Sequence, residues 1–272
     1  MNRKEEIERS IITKYRKQIW RPFMKAIRDY ELIQEGDKIA VCISGGKDSN
    51  IMAKCLEELQ KHGKVKFELV YLVMDPGYSE EHLNKIKKNL DILNIDATIF
   101  KSNIFDEIKD SSSPCYLCAR KRRGNLYATA KEMGCNKIAL GHHFDDVIET
   151  ILLNVLYAGC YKTMMPKLKS KNFAGMELIR PMYYIKEDDI KSWVRYNNLG
   201  FIDCACGVTK KNLGKRLEVK NLIKEFRKTY DNIDINILNS SKNVYIDSIL
   251  SYKDKDGIHD VLSDYEDIYE EE

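Results

Sequence analysis

An apolar run, a glycine pair and a helical pattern follow one another between residues 37 and 49, which read Asp-Lys-Ile-Ala-Val-Cys-Ile-Ser-Gly-Gly-Lys-Asp-Ser. Gly45 and Gly46 allow the backbone to approach a ligand closely, and the amides at the start of a helix attract phosphate oxygens. A strand-to-helix turn with a capping serine is the alternative, but it does not need all six positions of Ser-Gly-Gly-Lys-Asp-Ser. The turn therefore predicts a nucleotide phosphate site that differs from the Walker pattern. Its candidate contacts to phosphate or Mg²⁺ are Ser44, Lys47, Asp48 and Ser49.

A second strand end and helix start carries histidines and carboxylates, in residues 140–150. Adjacent aspartates at a helix N-terminus can stabilise the helix dipole, or they can handle metal-bound pyrophosphate or transfer a proton. Arg180 ends a further apolar run, and a phosphate contact or an ordinary salt bridge would each account for it. The candidates in residues 140–150 are Gly141, His142, His143, Asp145, Asp146 and Glu149.

Four of the eight cysteines form two close pairs, Cys115 with Cys118 and Cys204 with Cys206. Three kinds of site are compatible with them: a four-thiolate zinc site, a redox dithiol, or a [4Fe–4S] cluster held by three cysteines with one iron open. The one-residue gap in the second pair disfavours zinc, and a dithiol leaves that pair without a role. The other four are expected to be buried thiols: Cys42, Cys55, Cys135 and Cys160.

Basic residues cluster after each of these motifs, in residues 120–123, 162–171 and 210–216. Four consecutive cations near the start of a helix oppose its dipole, and such a cost is tolerated where a polyanion binds. The clusters predict RNA contacts at the mouth of the site. A basic face in residues 3–28 is explained by solvation or by RNA backbone contact.

Strand and helix patterns alternate after Gly36. Apolar runs at residues 38–44, 67–74, 98–101, 137–141 and 178–181 predict strands, with helices between them. This alternation predicts an α/β fold, a Rossmann-like doubly wound parallel sheet with ligands at the carboxyl ends of the strands. Added helices are expected at both ends. The predicted divisions are a basic amphipathic helix in 1–35, a nucleotide-binding domain in 36–214, helices in 215–254 and a disordered acidic tail in 255–272.

The composition is that of a globular protein, with 43% hydrophobic and 32% charged residues in 272. No apolar run approaches the roughly 20 residues of a membrane span, and the polar start lacks the core of a signal peptide. We therefore expect a cytoplasmic protein without membrane contact. Residues 255–272 carry eight acids and one base, a net charge of −7. Because the net charge of the whole chain is +3, the rest of the chain carries +10 and could attract a polyanion.

With these motifs assembled, the chain resembles the tRNA 2-thiocytidine synthetase branch (TtcA type) of the PP-loop ATP pyrophosphatase superfamily. The resemblance runs from about Trp20 to Tyr245. It includes Ser-Gly-Gly-Lys-Asp-Ser, the run from Pro114 that contains the first cysteine pair, Lys-Ile-Ala-Leu-Gly-His-His from Lys137, Met-Met-Pro-Lys-Leu from Met164 and Ile-Arg-Pro from Ile179. It implies a cytidine-32 tRNA thiolase that uses ATP, Mg²⁺ and an oxygen-sensitive [4Fe–4S] cluster.

The resemblance also implies roles for individual residues. Residues 44–49 would hold the ATP phosphates, with Gly141, His142 and Arg180 beside them. Catalysis would involve Lys47 and Asp48, with Asp145 or Asp146 assisting proton transfer or Mg²⁺ binding. Cys115 and Cys118 would ligate the cluster. The implied partners are tRNA and a cysteine desulfurase or other sulfide source, with a homodimer as a further expectation.

The later cysteine motif departs from the family, whose members have Cys-x-x-Cys-Gly where this chain has Cys204-Ala-Cys206-Gly207. Counting from the preceding strand favours Cys204 as the third ligand, and the following glycine favours Cys206. Two other functions stay open: another PP-loop RNA enzyme, such as a thiouridine synthetase or a lysidine-type ligase that needs no cluster, and a nucleotide-binding redox or zinc protein without catalysis.

Overall fold

The computed structural model of the protein describes residues 3–102, 104, 114–201 and 214–261. The predicted ligands Cys204 and Cys206 lie outside the described residues, and so does the side chain of Cys115. The described helices are α1 (Arg3–Ile12), α2 (Arg21–Asp29), α3 (Lys47–His62), α4 (Glu80–Leu93), α5 (Pro114–Glu132), α6 (Phe144–Ala158), α7 (Glu187–Tyr196), α8 (Gly214–Thr229) and α9 (Ile233–Ser240). The strands are β1 (Lys38–Ile43), β2 (Glu68–Asp75), β3 (Ala97–Lys101), β4 (Lys137–Ala139), β5 (Lys167–Lys169), β6 (Glu177–Ile179), β7 (Ser251–Lys253) and β8 (Ile258–Asp260).

The main sheet has six strands in the order β3-β2-β1-β4-β6-β5. All its pairings are parallel except that of β5 with β6. The chain first runs outward from β1 through β2 to β3 and then returns to add β4 on the other side of β1. In such sheets, ligands bind at the carboxyl ends of the strands where the order reverses. That position lies between β1 and β4, and both sequence motifs follow these two strands. The predicted fold class is confirmed.

The alternation of side chains along β1 joins two cores on opposite faces of the sheet. Ile39, Val41 and Ile43 belong to the larger core, which also contains the apolar side of the N-terminal helices and of α3. Ala40 and Cys42 belong to a smaller core under α5. Because both faces of β1 are buried, its nearly continuous apolar sequence is the pattern expected of a central parallel strand.

The N-terminal segment differs from the single helix that its periodicity predicts. After α1 the chain turns and forms a short π-helix, Arg16–Trp20, before α2. Pro22 has no amide hydrogen and its ring would clash with the carbonyl four residues earlier, so regular helical bonding cannot continue through it. The predicted apolar positions are nevertheless buried: Ile7, Ile11, Tyr15, Ile19, Phe23 and Ile27.

Two features were missing from the sequence prediction. The edge strand β5 was missed because it has only three residues, two of them lysines, in a segment predicted only as a basic cluster. The hairpin of β7 and β8 crosses the predicted boundary between the C-terminal helices and the disordered tail. Because β8 lies after Lys255, the prediction that a disordered tail begins at that residue is corrected. Residues 262–272 lie outside the described residues. None of the described helices is long and apolar enough to cross a membrane.

Candidate active site

A pocket of about 430 Å³ opens at the carboxyl ends of β1 and β4. The turn after β1, the loop after β4, the residue after β6 and the side of α5 form its walls. Leu126 and Met74 give it an apolar flank, while its other lining side chains are mostly polar or cationic. The lining residues from the predicted motifs are Ser44, Asp48, Ser49, Gly141, His142, Arg180, Arg122 and Arg123.

The turn after β1 is braced by its own serines. The Ser44 amide donates to Ser49 Oγ at 3.1 Å, and Ser49 Oγ donates to the Gly46 carbonyl at 3.1 Å. Gly45 has a φ of +83°, a backbone conformation that favours glycine. No side chain caps the N-terminus of α3 at Gly46, so the first amides of the helix remain available to an anion.

Gly141 brings the loop after β4 into contact with this turn. A Cβ atom at position 141 would lie 2.9 Å from the Ser49 amide nitrogen and 3.1 Å from the Asp48 carbonyl carbon. Both are backbone atoms, which cannot swing aside as the end of a side chain can. The absence of a side chain at Gly141 therefore allows the two motifs to form one continuous wall.

Lys47 lies between two carboxylates. Its Nζ is 3.1 Å from Asp48 Oδ2 and 3.3 Å from Glu187 Oε1, and it does not line the pocket. Burial works against the charged form of Lys47, but Asp48 and Glu187 outweigh it and raise the pKa of the ammonium group. Lys47 is therefore a fixed positive charge beside the phosphate turn at neutral pH.

Glu187 is a member of this network that the sequence analysis did not identify. Besides Lys47, it contacts Lys191 at 2.9 Å and Lys220 at 2.6 Å. Burial raises the pKa of its carboxyl group, but the three lysines outweigh burial and hold that pKa well below the ordinary range. Its only sequence signal was its place among three acids at the start of α7, which is common in helices.

One carboxylate oxygen of Asp48 is suited to coordinate a cation. Its Oδ2 faces Lys47, whereas its Oδ1 is buried and has no hydrogen-bond partner among the described residues. Nε2 of His143 lies 3.9 Å from Oδ1, beyond hydrogen-bond distance. A buried carboxylate oxygen without a partner is costly unless a donor or a cation satisfies it, so Asp48 suits the predicted Mg²⁺ contact.

The aspartates after β4 hold helices together and do not line the pocket. Asp145 accepts from the Glu187 amide at 2.7 Å and pairs with Arg227 at 2.7 Å. Asp146 forms a capping box with His143 and pairs with Arg216 at 2.6 Å. Both carboxylates lie in the first turn of α6, where the helix dipole favours negative charge, and each forms an ion pair with an arginine of α8.

Burial, and the pairing with Arg216, also determine the ionisation of the neighbouring groups. Burial raises the pKa of Asp146, but His143 and Arg216 outweigh it, and the pKa of this carboxyl is lowered. Glu149 also pairs with Arg216, at 2.9 Å, yet burial outweighs that pairing and its pKa is raised. Arg216, predicted as part of an RNA-binding cluster, is thus engaged within the protein.

His142 and Arg180 form a second polar pair on the pocket wall. Arg180 Nε donates to His142 Nδ1 at 3.3 Å, and Arg180 also donates to the Met165 carbonyl. Burial, with the charge of Arg180, lowers the pKa of His142 to about 4. His142 is therefore neutral at physiological pH, and because Nδ1 accepts a hydrogen bond, its proton is assigned to Nε2.

The helix that carries the first cysteine pair flanks the pocket. Cys118 is buried against Met74 and Ile104, and Met74 itself lines the pocket. Cys42, on β1, also lines it, but burial raises its pKa to about 12, which keeps it a neutral thiol. No group of three or more potential metal-ligating side chains occurs within the part of the chain that the structure describes.

Comparison with known proteins agrees with this arrangement. A family model described as the PP-loop domain matches residues 13–217, which defines the chain as a PP-loop protein. The tRNA-cytidine(32) 2-sulfurtransferase of Syntrophotalea carbinolica is 37% identical over 240 residues, covering 85% of this chain and 91% of that protein. The enzyme of the same name from Shewanella denitrificans is 41% identical over 221 residues, covering 80% and 68%. The chain therefore belongs to the family of PP-loop tRNA sulfurtransferases.

One solved structure shares the fold over most of the chain. It is described as the U34-tRNA thiolase NcsA from Methanococcus maripaludis with its [4Fe–4S] cluster, and it superimposes with a TM-score of 0.68. The match covers 84% of this chain and 79% of that one at 22% identity. At this level of identity the likeness is one of fold.

Proposed function

We propose that the protein is an ATP-dependent sulfurtransferase that converts cytidine 32 of tRNA to 2-thiocytidine. Membership of the family supports the reaction class. The observation that carries the proposal is the pocket itself, which the phosphate turn and the cysteine-bearing helix α5 line together. In one pocket, a base activated by ATP and a sulfur nucleophile can meet.

The first half of the reaction is adenylation. The cytidine O2 attacks the α-phosphorus of ATP, the bond to the bridging oxygen breaks, and pyrophosphate leaves. The free amides of α3, with Ser44 and Ser49, bind the phosphates, and Lys47 offsets the charge that develops on them. Asp48 would hold Mg²⁺, and a bound Mg²⁺ would supply neutralising charge for the phosphates.

The second half of the reaction replaces oxygen by sulfur. Sulfide attacks C2 of the activated base, the C2–O bond breaks, and AMP leaves with the oxygen. The neutral His142 can donate its Nε2 proton in a hydrogen bond to an oxygen in the pocket, while Arg180 fixes the orientation of the ring. Arg122 and Arg123 add positive charge opposite the phosphate turn.

The cluster ligands in this proposal are Cys115, Cys118 and either Cys204 or Cys206. The position of Cys118 fits, because its buried thiol packs against Met74 in the pocket wall. A [4Fe–4S] cluster held by three thiolates would supply an open iron that can bind sulfide. We further propose a cytoplasmic enzyme that receives sulfide from a cysteine desulfurase or another source and that forms a homodimer.

The test is anaerobic purification with iron and sulfide analysis, followed by incubation with ATP, Mg²⁺, sulfide and an unmodified tRNA transcript. Mass spectrometry of the nucleosides should detect 2-thiocytidine, and AMP should form in equal amount. Cys118→Ser should abolish thiolation and cluster content, whereas Cys160→Ser, a half-buried cysteine after α6, should retain both.

Two results would contradict the proposal. A colourless protein that releases AMP but incorporates no sulfur would favour a lysidine-type ligase. A protein that binds ATP without releasing AMP would favour a binding protein without catalysis. If the protein contains the cluster but thiolates a uridine, the proposed chemistry stands and the proposed target nucleotide is wrong.

A further inference from the structure

A second cavity, distinct from the active-site pocket, lies between the N-terminal helices and the C-terminal helices. It is an open groove of about 820 Å³. Seven exposed cationic side chains line it, no carboxylate does, and they come from three separate parts of the chain. These cations, here called the basic groove, are Arg16, Lys17, Arg21, Lys25, Arg28, Lys186 and Lys242.

Most of the charge in the basic groove is not neutralised within the protein. Lys25 pairs with Asp29, and Lys186 pairs with Asp234 at 2.9 Å. The other five cations have no acidic partner at ion-pair distance among the described residues. Clustered cations repel one another, so a groove of this kind is stabilised by a polyanion that bridges them.

Aromatic rings, more than carboxylates, shape the walls of the groove. The Lys25 ammonium lies 4.7 Å from the centre of the Tyr184 ring, and the Lys242 ammonium lies 5.3 Å from it. Tyr184 in turn stacks on Tyr30 and donates to its hydroxyl at 2.7 Å. Cation–π contacts hold these lysines in place without cancelling their charge, and because Lys242 has no acidic partner at ion-pair distance among the described residues, its charge remains available to an anionic ligand.

The groove adjoins the active-site pocket. His142 lines the pocket and Phe144 lines the groove, so their Cα atoms are at most about 7 Å apart along the chain. Lys186 lines the groove, and its neighbour Glu187 pairs with Lys47 of the phosphate turn. A nucleic acid advances about 3.4 Å per nucleotide along a helical strand, so the separation of about 7 Å between these two wall residues corresponds to about two nucleotides.

We propose that the basic groove binds the phosphate backbone of the RNA whose target base occupies the active-site pocket. The groove would act as an electrostatic contact that orients the RNA and carries no sequence information. This inference rests on the proposed function only for the nature of the RNA. It also gives a role to the N-terminal basic face, for which solvation was the alternative.

The experiment measures binding of a fluorescent, unmodified tRNA transcript to the full-length protein between 50 and 200 mM KCl. The test variant is Lys17→Glu with Arg21→Glu, two cations without acidic partners. The matched control is Lys64→Glu with Lys66→Glu, which changes the charge equally at two exposed residues before the amino end of β2 that do not line the groove. Thermal melting and ATP affinity in the same samples show whether each variant is folded.

Loss of two phosphate contacts should weaken binding about tenfold or more and reduce the slope of log K against log salt by about 1.5. The control pair should stay within about twofold of the wild type. Arg28→Glu alone should reduce the slope by about half as much, which provides a second variant if the first folds poorly. An unchanged slope in both test variants, or an equal loss in the control, would overturn the inference.

Binding does not depend on catalysis, so the two proposals fail separately. If the test variants lose RNA affinity but no preparation thiolates tRNA, the groove stands and the proposed function is wrong. If the wild type thiolates tRNA and the test variants bind it normally, the groove assignment is wrong and the proposed function stands.

Discussion

The close contact between Gly141 and the phosphate turn leads to a quantitative prediction for Gly141→Ala. The added Cβ would lie 2.9 Å from the Ser49 nitrogen and 3.1 Å from both the Asp48 carbonyl carbon and Ser49 Cα. Ordinary van der Waals contacts begin near 3.4 Å. The turn or the loop must therefore move by about half an ångström, and overpacking of this kind costs about 1–3 kcal/mol.

The displacement should affect nucleotide binding more than folding. The turn is braced by the bonds between Ser44 and Ser49, so its backbone amides would move together. Misplacement of positioning groups by about 1 Å can cost roughly 100-fold, and half that distance should weaken ATP binding by about tenfold or more. Thermal unfolding should occur about 2–4 °C lower for each kcal/mol of strain.

Gly124→Ala is the matched control. Gly124 lies within α5, and a Cβ there would meet no atom within 4 Å. Alanine favours a helix over glycine by about 1 kcal/mol, so this variant should be more stable and should bind ATP normally. Isothermal titration calorimetry and differential scanning calorimetry measure both effects. Wild-type ATP affinity in Gly141→Ala, or equal losses in the two variants, would refute the argument from close packing.

Two further predictions concern charges beside the turn. Glu187→Gln should lower the free energy of unfolding at pH 7 by about 1–3 kcal/mol, because three lysines lose a charged partner. The pKa of Glu187 is depressed in the wild type, so the difference in stability should persist above the ordinary pKa of 4.5 and shrink as the pH falls below it. Urea unfolding at several pH values measures this, and a difference independent of pH would contradict the prediction. Asp48→Asn should slow AMP formation by about 100-fold or more and weaken its dependence on Mg²⁺. The control Asp188→Asn, on the exposed first turn of α7, should change neither. A normal Mg²⁺ dependence in Asp48→Asn would show that Asp48 is not a cation ligand.

The local parts of this architecture could be predicted from the sequence. β1, its turn and α3 form a continuous segment in which glycine positions, apolar periodicity and helix polarity all act within a few residues. The alternation of strands and helices predicts a parallel sheet covered on both faces, but it does not give the order of the strands. The segment in residues 3–29 was harder, because its spacing of buried residues is nearly the same across the π-helix as in an uninterrupted α-helix.

Contacts between distant residues could not be predicted in this way. Glu187 lies 140 positions from Lys47, and nothing in its own neighbourhood distinguishes it from the acids beside it. The same holds for Arg216, whose partners Asp146 and Glu149 lie on α6. A charge in a sequence does not state whether its partner is solvent, another side chain or a ligand, and only the packing of α7 and α8 on α6 answers that question here.

The carboxylates after β4 illustrate how one motif combines structural and chemical roles. Asp145 joins α6 to the start of α7 through the Glu187 amide, and Glu187 in turn contacts Lys47. The phosphate turn is therefore linked to α7 by one chain of charge-assisted contacts. In buried networks of this kind, removing one partner leaves the others unsatisfied, so substitutions of Asp145 would disturb Lys47 without any direct role of Asp145 in proton transfer. Loss of activity in such a variant would thus identify a positioning role unless its pH profile also changed.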